Sequence, residues 1–195
     1  AGKFGVSRNI LREALKTLKE RGLISVRTGD GSYVVRPKPE ILTNVVTRLI
    51  RLSDVTLPDV FELRVAIEVV ASGLAAERAG PADIKELHAV IKNMEADRED
   101  VDRWAKEELR FHLTVANATK DPLFPCFIQA LSRQLYTLFA EGYRQPTAGT
   151  QGIAGHKAIL QAIKARAKTK AEKAMLTHLE ISRELLLGAA QRQPP

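Results

Sequence analysis

The sequence predicts a mainly α fold in two unequal parts, and three observations predict it. Residues Phe4–Leu15 read as a tight turn, a helix N-cap and a basic helix; two short alternating strands follow within 23–35; beyond Pro39 strand signals give way to helical periodicity. In chain order this is an N-terminal winged helix-turn-helix with its first helix missing, then an antiparallel bundle of six or seven helices.

The first helix is announced by Phe4-Gly5-Val6-Ser7, where Ser7 can accept a hydrogen bond from the free N–H groups of a helix beginning at Arg8. Leu11, Leu15 and Leu18 form an apolar stripe with Ala14, Arg8, Arg12, Lys16 and Lys19 stay on the other faces, and Gly22 is a stop. A helix entered through a glycine turn with arginines in its first turns suits a DNA major groove. An ordinary surface helix would look much the same, so the next residues decide. Leu23–Arg27 alternates like a strand, Thr28-Gly29-Asp30-Gly31 is a turn, and Ser32–Val35 is a second strand. Recognition helix followed by hairpin is the winged layout. Charge agrees: residues 1–39 hold nine Lys/Arg against three Asp/Glu, whereas the other 156 residues hold 21 against 20. Nearly all of the chain's formal +7 therefore sits on the end expected to bind phosphate. Ala1–Phe4 resembles the tail of a preceding helix, so the numbering is expected to begin inside a domain.

Arg36-Pro37-Lys38-Pro39 marks a boundary, giving a DNA-binding domain at 1–37 and an all-helical domain at 40–190. Helices are expected near 40–52, 58–79, 82–97, 100–118, 122–143, 152–166 and 169–190. Their breaks fall at Leu57-Pro58, Gly80-Pro81, Asp121-Pro122, Gln145-Pro146 and Ala167–Lys170, with Gly80 suited to a helix end. No apolar run approaches the ~20 residues of a membrane span, and no signal peptide opens the chain. Cys126 is the only cysteine, so an internal disulfide is impossible, which fits a reducing cytoplasm; in Phe124-Pro125-Cys126-Phe127 it reads as a buried small hydrophobe.

All four histidines lie in the helical part. His112 shares a face with Leu109, Val115 and Ala116, His156 with Ile159, Leu160 and Ile163, and His178 with Met175, Ile181 and Leu185. Glu108 stands one turn before His112 on the same face. Three inward imidazoles and one carboxylate from three helices can hold a divalent metal with positions left for a ligand. They can equally be core histidines with hydrogen-bond partners. His88, at the edge of its apolar stripe and without an acidic partner, reads as structural or surface.

With these residues in place, the chain resembles GntR-type transcriptional regulators of the FadR subgroup, whose helical effector domain is called FCD. Phe4-Gly5-Val6-Ser7-Arg8 through Arg12-Glu13-Ala14-Leu15 and Gly22-Leu23-Ile24 carry the likeness in the first part. Glu62-Leu63-Arg64 with Glu68 and Ala71, Phe111-His112, Asp121-Pro122-Leu123, His156-Lys157-Ala158-Ile159 and Ala174-Met175 with His178 carry it in the second. The resemblance implies a ligand-responsive regulator, most often a repressor, acting as a homodimer on a double-stranded DNA operator. It implies DNA contacts from Ser7, Arg8, Asn9 and Arg12, and from the wing at Thr28 and Gly29. It implies that Glu108, His112, His156 and His178 take the positions of metal ligands, commonly for zinc or nickel, and that Arg64 lies near the pocket of a small organic acid effector. The sequence departs from the usual pattern at Glu108, where aspartate is common, at Asp121 for asparagine and at Gly155 for glutamate. Two other readings are an inert dimerisation bundle without metal and a metal-dependent hydrolase; against the latter, no extra base stands near the histidines and a basic winged helix goes unexplained.

Overall fold

A computed structural model of the chain describes residues 2–35, 39–96, 100–142 and 148–190. After a 3-10 turn at Gly2–Phe4 come α1 (Arg8–Glu20), β1 (Ile24–Arg27) and β2 (Gly31–Val34). The helical part holds α2 (Pro39–Leu52), α3 (Leu57–Arg78), α4 (Pro81–Ala96), α5 (Val101–Ala118), α6 (Leu123–Gly142), α7 (Ala148–Lys164) and α8 (Lys168–Ala190). The fold is mainly helical with one small two-stranded sheet.

Ser7 caps α1 as expected, its Oγ accepting from the Ile10 N–H at 3.3 Å. Leu11, Leu15 and Leu18 are half-buried, and no residue of α1 is fully buried. The hairpin pairs Ile24 with Val34 and Arg27 with Gly31, so the tip is Thr28-Gly29-Asp30. Gly29 there takes φ +78°, a conformation that costs glycine nothing and a side-chain-bearing residue strain. Tyr33 braces the tip by donating its hydroxyl to Asp30 Oδ1 at 2.9 Å.

Helix starts in the second part follow local chemistry. Thr56 and Asp59 form a reciprocal capping box on α3, with Pro58 in the first turn where no N–H is needed. Asp100 caps α5 by accepting from the Arg103 N–H at 3.0 Å. Gly80 follows α3, whose cap is Ala79, but it is not among the glycines with positive φ. Pro81 explains this, because a residue before proline is pushed toward extended backbone; the Gly80 N–H instead donates to Asp83 Oδ2 at 2.7 Å and leads into α4. The left-handed terminators are Lys120 and Arg166, at φ 59° and 56°. Cys126 is half-buried rather than buried, because α6 turns its first face partly to solvent. The breaks read at Arg36-Pro37-Lys38 and Gln145-Pro146 lie outside the described residues.

α3 packs along α8, α8 along α7, and α5 between α4 and α6. A large apolar cluster built on Leu87, Met94, Trp104, Phe111, Ile159 and Met175 fills the space between α4, α5, α7 and α8. A second cluster, around Phe61, Leu131, Leu135 and Leu186, receives Val46 and Ile50 of α2. At its other end α2 meets the winged part, where the side chain of Ile41 lies against Gly22, just past α1.

Candidate functional site

The cluster of interest is suspended in that core. Glu108 and His112 come from α5, His156 from α7 and His178 from α8, and each is at most 3% exposed. One ligand atom from each lies within 4.8 Å of every other. His112 Nε2 is 3.1 Å from Glu108 Oε1, His156 Nε2 is 3.2 Å from Glu108 Oε2, and His178 Nε2 is 3.2 Å from His112 Nε2. The four residues singled out in the sequence are thus brought together, Glu108 included; its extra methylene over aspartate does not keep it out.

The separations fit a shared ion. Ligand atoms at about 2.1 Å from a metal stand roughly 3.0–3.4 Å apart at neighbouring coordination positions. His156 Nε2 and Glu108 Oε2 are buried without a hydrogen-bond partner, a costly arrangement that a cation between them would relieve. The imidazole-and-carboxylate donor set suits zinc or nickel.

Around the donors is a second ring of contacts. Glu68 of α3, 1% exposed, places Oε2 against His112 Nδ1, and its Oε1 accepts from Arg64 Nε at 2.6 Å. The Phe111 and His156 ring centroids lie 4.2 Å apart with the rings tilted, and the Trp104 ring is 6.4 Å from His156. Burial opposes the Glu68 charge, but the Arg64 guanidinium and His112 outweigh it and hold the carboxyl at about 2. Burial also opposes the Glu108 charge, yet attraction to His156 and contacts with the imidazoles keep it well below the usual carboxylate range. Burial disfavours a charged His112 ring, but Glu68 and Glu108 raise it to about 9. Burial and His156 push His178 down to about 4. With His112 holding a proton on each nitrogen, Arg64 and His112 balance Glu68 and Glu108.

Glu68 is the member of this buried cluster that sequence reasoning passed over as a motif position. Its signal was present: Arg64 and Glu68 are spaced i, i+4 on a helix whose facing side is apolar, and a buried pair of that kind needs a reason. Its contact with His112 Nδ1 would fix that ring with Nε2 facing Glu108 and His178, the role an outer carboxylate plays for a metal-ligating histidine. Glu68→Gln is expected to weaken zinc binding roughly 10–100-fold in a chelator-competition titration, with Glu68→Asp in between. An unchanged affinity in both variants would contradict this role.

The second candidate site is the basic face of the N-terminal part. Ser7 at the N-cap and Arg8, Asn9 and Arg12 on α1 are all exposed, and Thr28 and Gly29 are exposed at the wing tip. Among the described residues, no ion pair engages Arg8 or Arg12. Arg27 at the wing's base is held over the Tyr33 ring at 5.3 Å and 3.7 Å from Asp30, which offsets the one acidic group at the tip. Arg64 lies far from this face in kind: it is fully buried beside the histidine cluster. His88 is exposed on α4, as read.

Among the described residues, no helix is long and apolar enough to cross a membrane. Residues 1–34 match the family described as bacterial regulatory proteins, gntR family, and residues 59–181 match the FCD domain. The chain is 27% identical over 193 residues to the HTH-type transcriptional regulator LutR of Bacillus subtilis (strain 168), spanning 96% of this chain and 88% of that protein. It is 26% identical over 185 residues to the galactonate operon transcriptional repressor of Escherichia coli (strain K12), spanning 92% and 81%. The structure of Streptococcus agalactiae GntR superposes with a TM-score of 0.67 at 23% identity, over 94% of this chain and 85% of that one, a likeness of fold. These relatives are regulators and not enzymes, which removes the hydrolase reading. The chain belongs to the GntR family of bacterial regulatory proteins, and its helical part is an FCD domain.

Proposed function

We propose that the protein is a cytoplasmic, homodimeric repressor whose grip on a DNA operator is set by a small carboxylate bound beside a divalent metal in the helical domain. The observation that carries this reading is the convergence of Glu108, His112, His156 and His178 from three helices into one buried cluster. Zinc or nickel held there would act as a Lewis acid that attracts an anionic oxygen. Formal charge supports an anionic effector. With neutral imidazoles, Arg64 cancels Glu68 and Glu108 cancels half of a divalent charge, so one positive charge is left in a site that is otherwise apolar. A monocarboxylate supplies the missing negative charge at the metal, beside the guanidinium of Arg64 on α3. A relative named for a galactonate operon supports a hydroxy acid, and its being named a repressor supports that sign of control.

At the other end, residues 1–37 form the DNA-binding part and 40–190 the sensing and dimerising part. Arg8, Asn9 and Arg12 present base- and phosphate-reading groups from α1, Ser7 fixes the helix start, and Thr28 and Gly29 bring the wing close to the backbone. Two copies place two such helices about one turn of DNA apart, roughly 34–36 Å. α2 is the mechanical link: Val46 and Ile50 join the apolar cluster that includes Leu186 of α8, and Ile41 touches Gly22 at the end of α1. Effector binding changes operator affinity only as far as it favours one setting of that link over another.

Arg12→Ala is expected to weaken operator binding about 5–150-fold, the size of one lost base or phosphate contact of about 1–3 kcal/mol, with metal content unchanged. A gel-shift titration checks it, on a duplex selected from random sequence by the wild-type protein. Undiminished binding would contradict this docking.

A further inference from the structure

The three imidazoles differ in what faces their outer nitrogens. His112 Nδ1 has Glu68, and His156 Nδ1 is buried with no hydrogen-bond partner among the described residues. The His178 ring is 3% exposed, its Nε2 points at Glu108 and His112, and no described hydrogen bond reaches its Nδ1. That nitrogen lies under Gly155 of α7: a Cβ built on Gly155 would stand 2.7 Å from it. The absence of a side chain at 155 therefore lets α7 lie close over the outer edge of the imidazole, which stays buried at the floor of a groove. Over it is a groove of about 330 Å³ between α7 and α8, with Ala158, Ala174 and Ile181 along its walls and Lys170 and Lys173 beside it. Neither lysine has an ion pair among the described residues.

We infer that this groove is a second anion site, distinct from the metal-facing side of His178, and that it takes a small aliphatic monocarboxylate. One carboxylate oxygen accepts the Nδ1–H of His178, Lys170 and Lys173 supply the opposing charge, and the short chain lies on the alanine and isoleucine wall. The volume is at the lower end of what ligand pockets have, which suits a molecule of four or five heavy atoms beyond the carboxylate at most. A metal-ligating histidine commonly has an acceptor on its far nitrogen, which fixes its tautomer and orientation. For His178 the described residues provide none, and a ligand from solution fills that place. Occupancy of the groove then bears on the metal centre through one ring, which makes it a regulatory site for the reading proposed above; binding in the groove itself does not require that reading to hold.

The test is a titration of butyrate into 15N-histidine-labelled, metal-free full-length protein, followed by the His178 Nδ1 resonance in a long-range 1H–15N spectrum. A saturable shift of that resonance is expected for butyrate and none for butyramide, its neutral counterpart. The butyrate shift is expected to vanish in Lys170→Glu/Lys173→Glu and in Ala158→Leu, which reverse the charge and block the volume without touching a metal ligand. The absence of a shift in wild type, or its persistence in both variants, would overturn the second site. Repeating the titration with zinc bound is expected to show tighter zinc retention in the presence of butyrate, by several-fold, in wild type only. Failure of the protein to bind zinc at all would remove the proposed function while leaving the groove result to stand or fall by the metal-free titration.

Discussion

Zinc added to metal-free protein is expected to raise its melting temperature strongly, and His112→Ala/His178→Ala is expected to abolish the rise. A ligand that binds only the folded state stabilises it by about 4.1 kcal/mol when present at a thousand times its dissociation constant. For a domain of this size that corresponds to roughly 8–16 °C. The donors come from α5, α7 and α8, so an ion at their meeting point ties together three helices that otherwise meet through apolar contacts, the Glu108 carboxylate and the His112–His178 contact. Differential scanning calorimetry at fixed free zinc checks this, and equal melting shifts in wild type and the double variant would show that zinc acts elsewhere. Because alanine at two buried positions leaves space, His112→Asn serves as a milder companion. It is expected to fold and to lose most of the zinc-dependent shift.

The second large effect is on pH. Zinc can take His112 Nε2 only when that nitrogen has lost its proton, and Glu68 and Glu108 hold the ring protonated up to about 9. Apparent zinc affinity is therefore expected to rise about tenfold per pH unit from near 6 and to level off around 9, about a hundredfold between pH 7 and 9. Stability of the metal-free protein runs the other way. The folded-state pKa of His112 is raised above its ordinary 6.5, so its contribution is complete below that value and is lost as pH climbs through about 9. His178 is depressed toward about 4, so it costs stability as pH falls from about 6.5 toward that value. Metal-free protein is thus expected to be most stable near pH 6.5 as far as these two groups decide it, while zinc protection grows on the alkaline side. Zinc-buffered competition titrations across pH 6–9 give the slope. A flat profile would mean that His112 is already neutral at pH 7 and that Glu68 does not hold its proton.

Much of this was legible in the residues themselves. Helix positions in the second part follow from proline and glycine punctuation and from a 3.6-residue apolar period, which is why the expected and observed helices differ by a few residues at most. Glu108 and His112 were readable as a pair because four residues make one helical turn. That His156 and His178 join them was not derivable from spacing, since it depends on how α7 and α8 lie against α5. Glu68 was missed because its partner is 44 positions away in the chain, although Arg64 one turn earlier was a local hint. Gly155 stood out only as a departure from a motif. Its consequence, the close approach of α7 to the His178 ring at the floor of a groove, is a matter of helix packing that no single-chain pattern encodes. The basic face was the easiest part, because charge concentrated in 39 residues survives any detail of packing.

One experiment addresses the division of labour directly: operator affinity measured on the same selected duplex with metal-loaded and chelator-stripped protein, each with and without a small hydroxy acid such as galactonate. The proposed coupling predicts a change in operator dissociation constant of about 5–150-fold on adding the acid to metal-loaded protein, equivalent to about 1–3 kcal/mol, and no change in the stripped protein. An equal response with and without metal would contradict the claim that the buried Glu108/His112/His156/His178 cluster senses the effector.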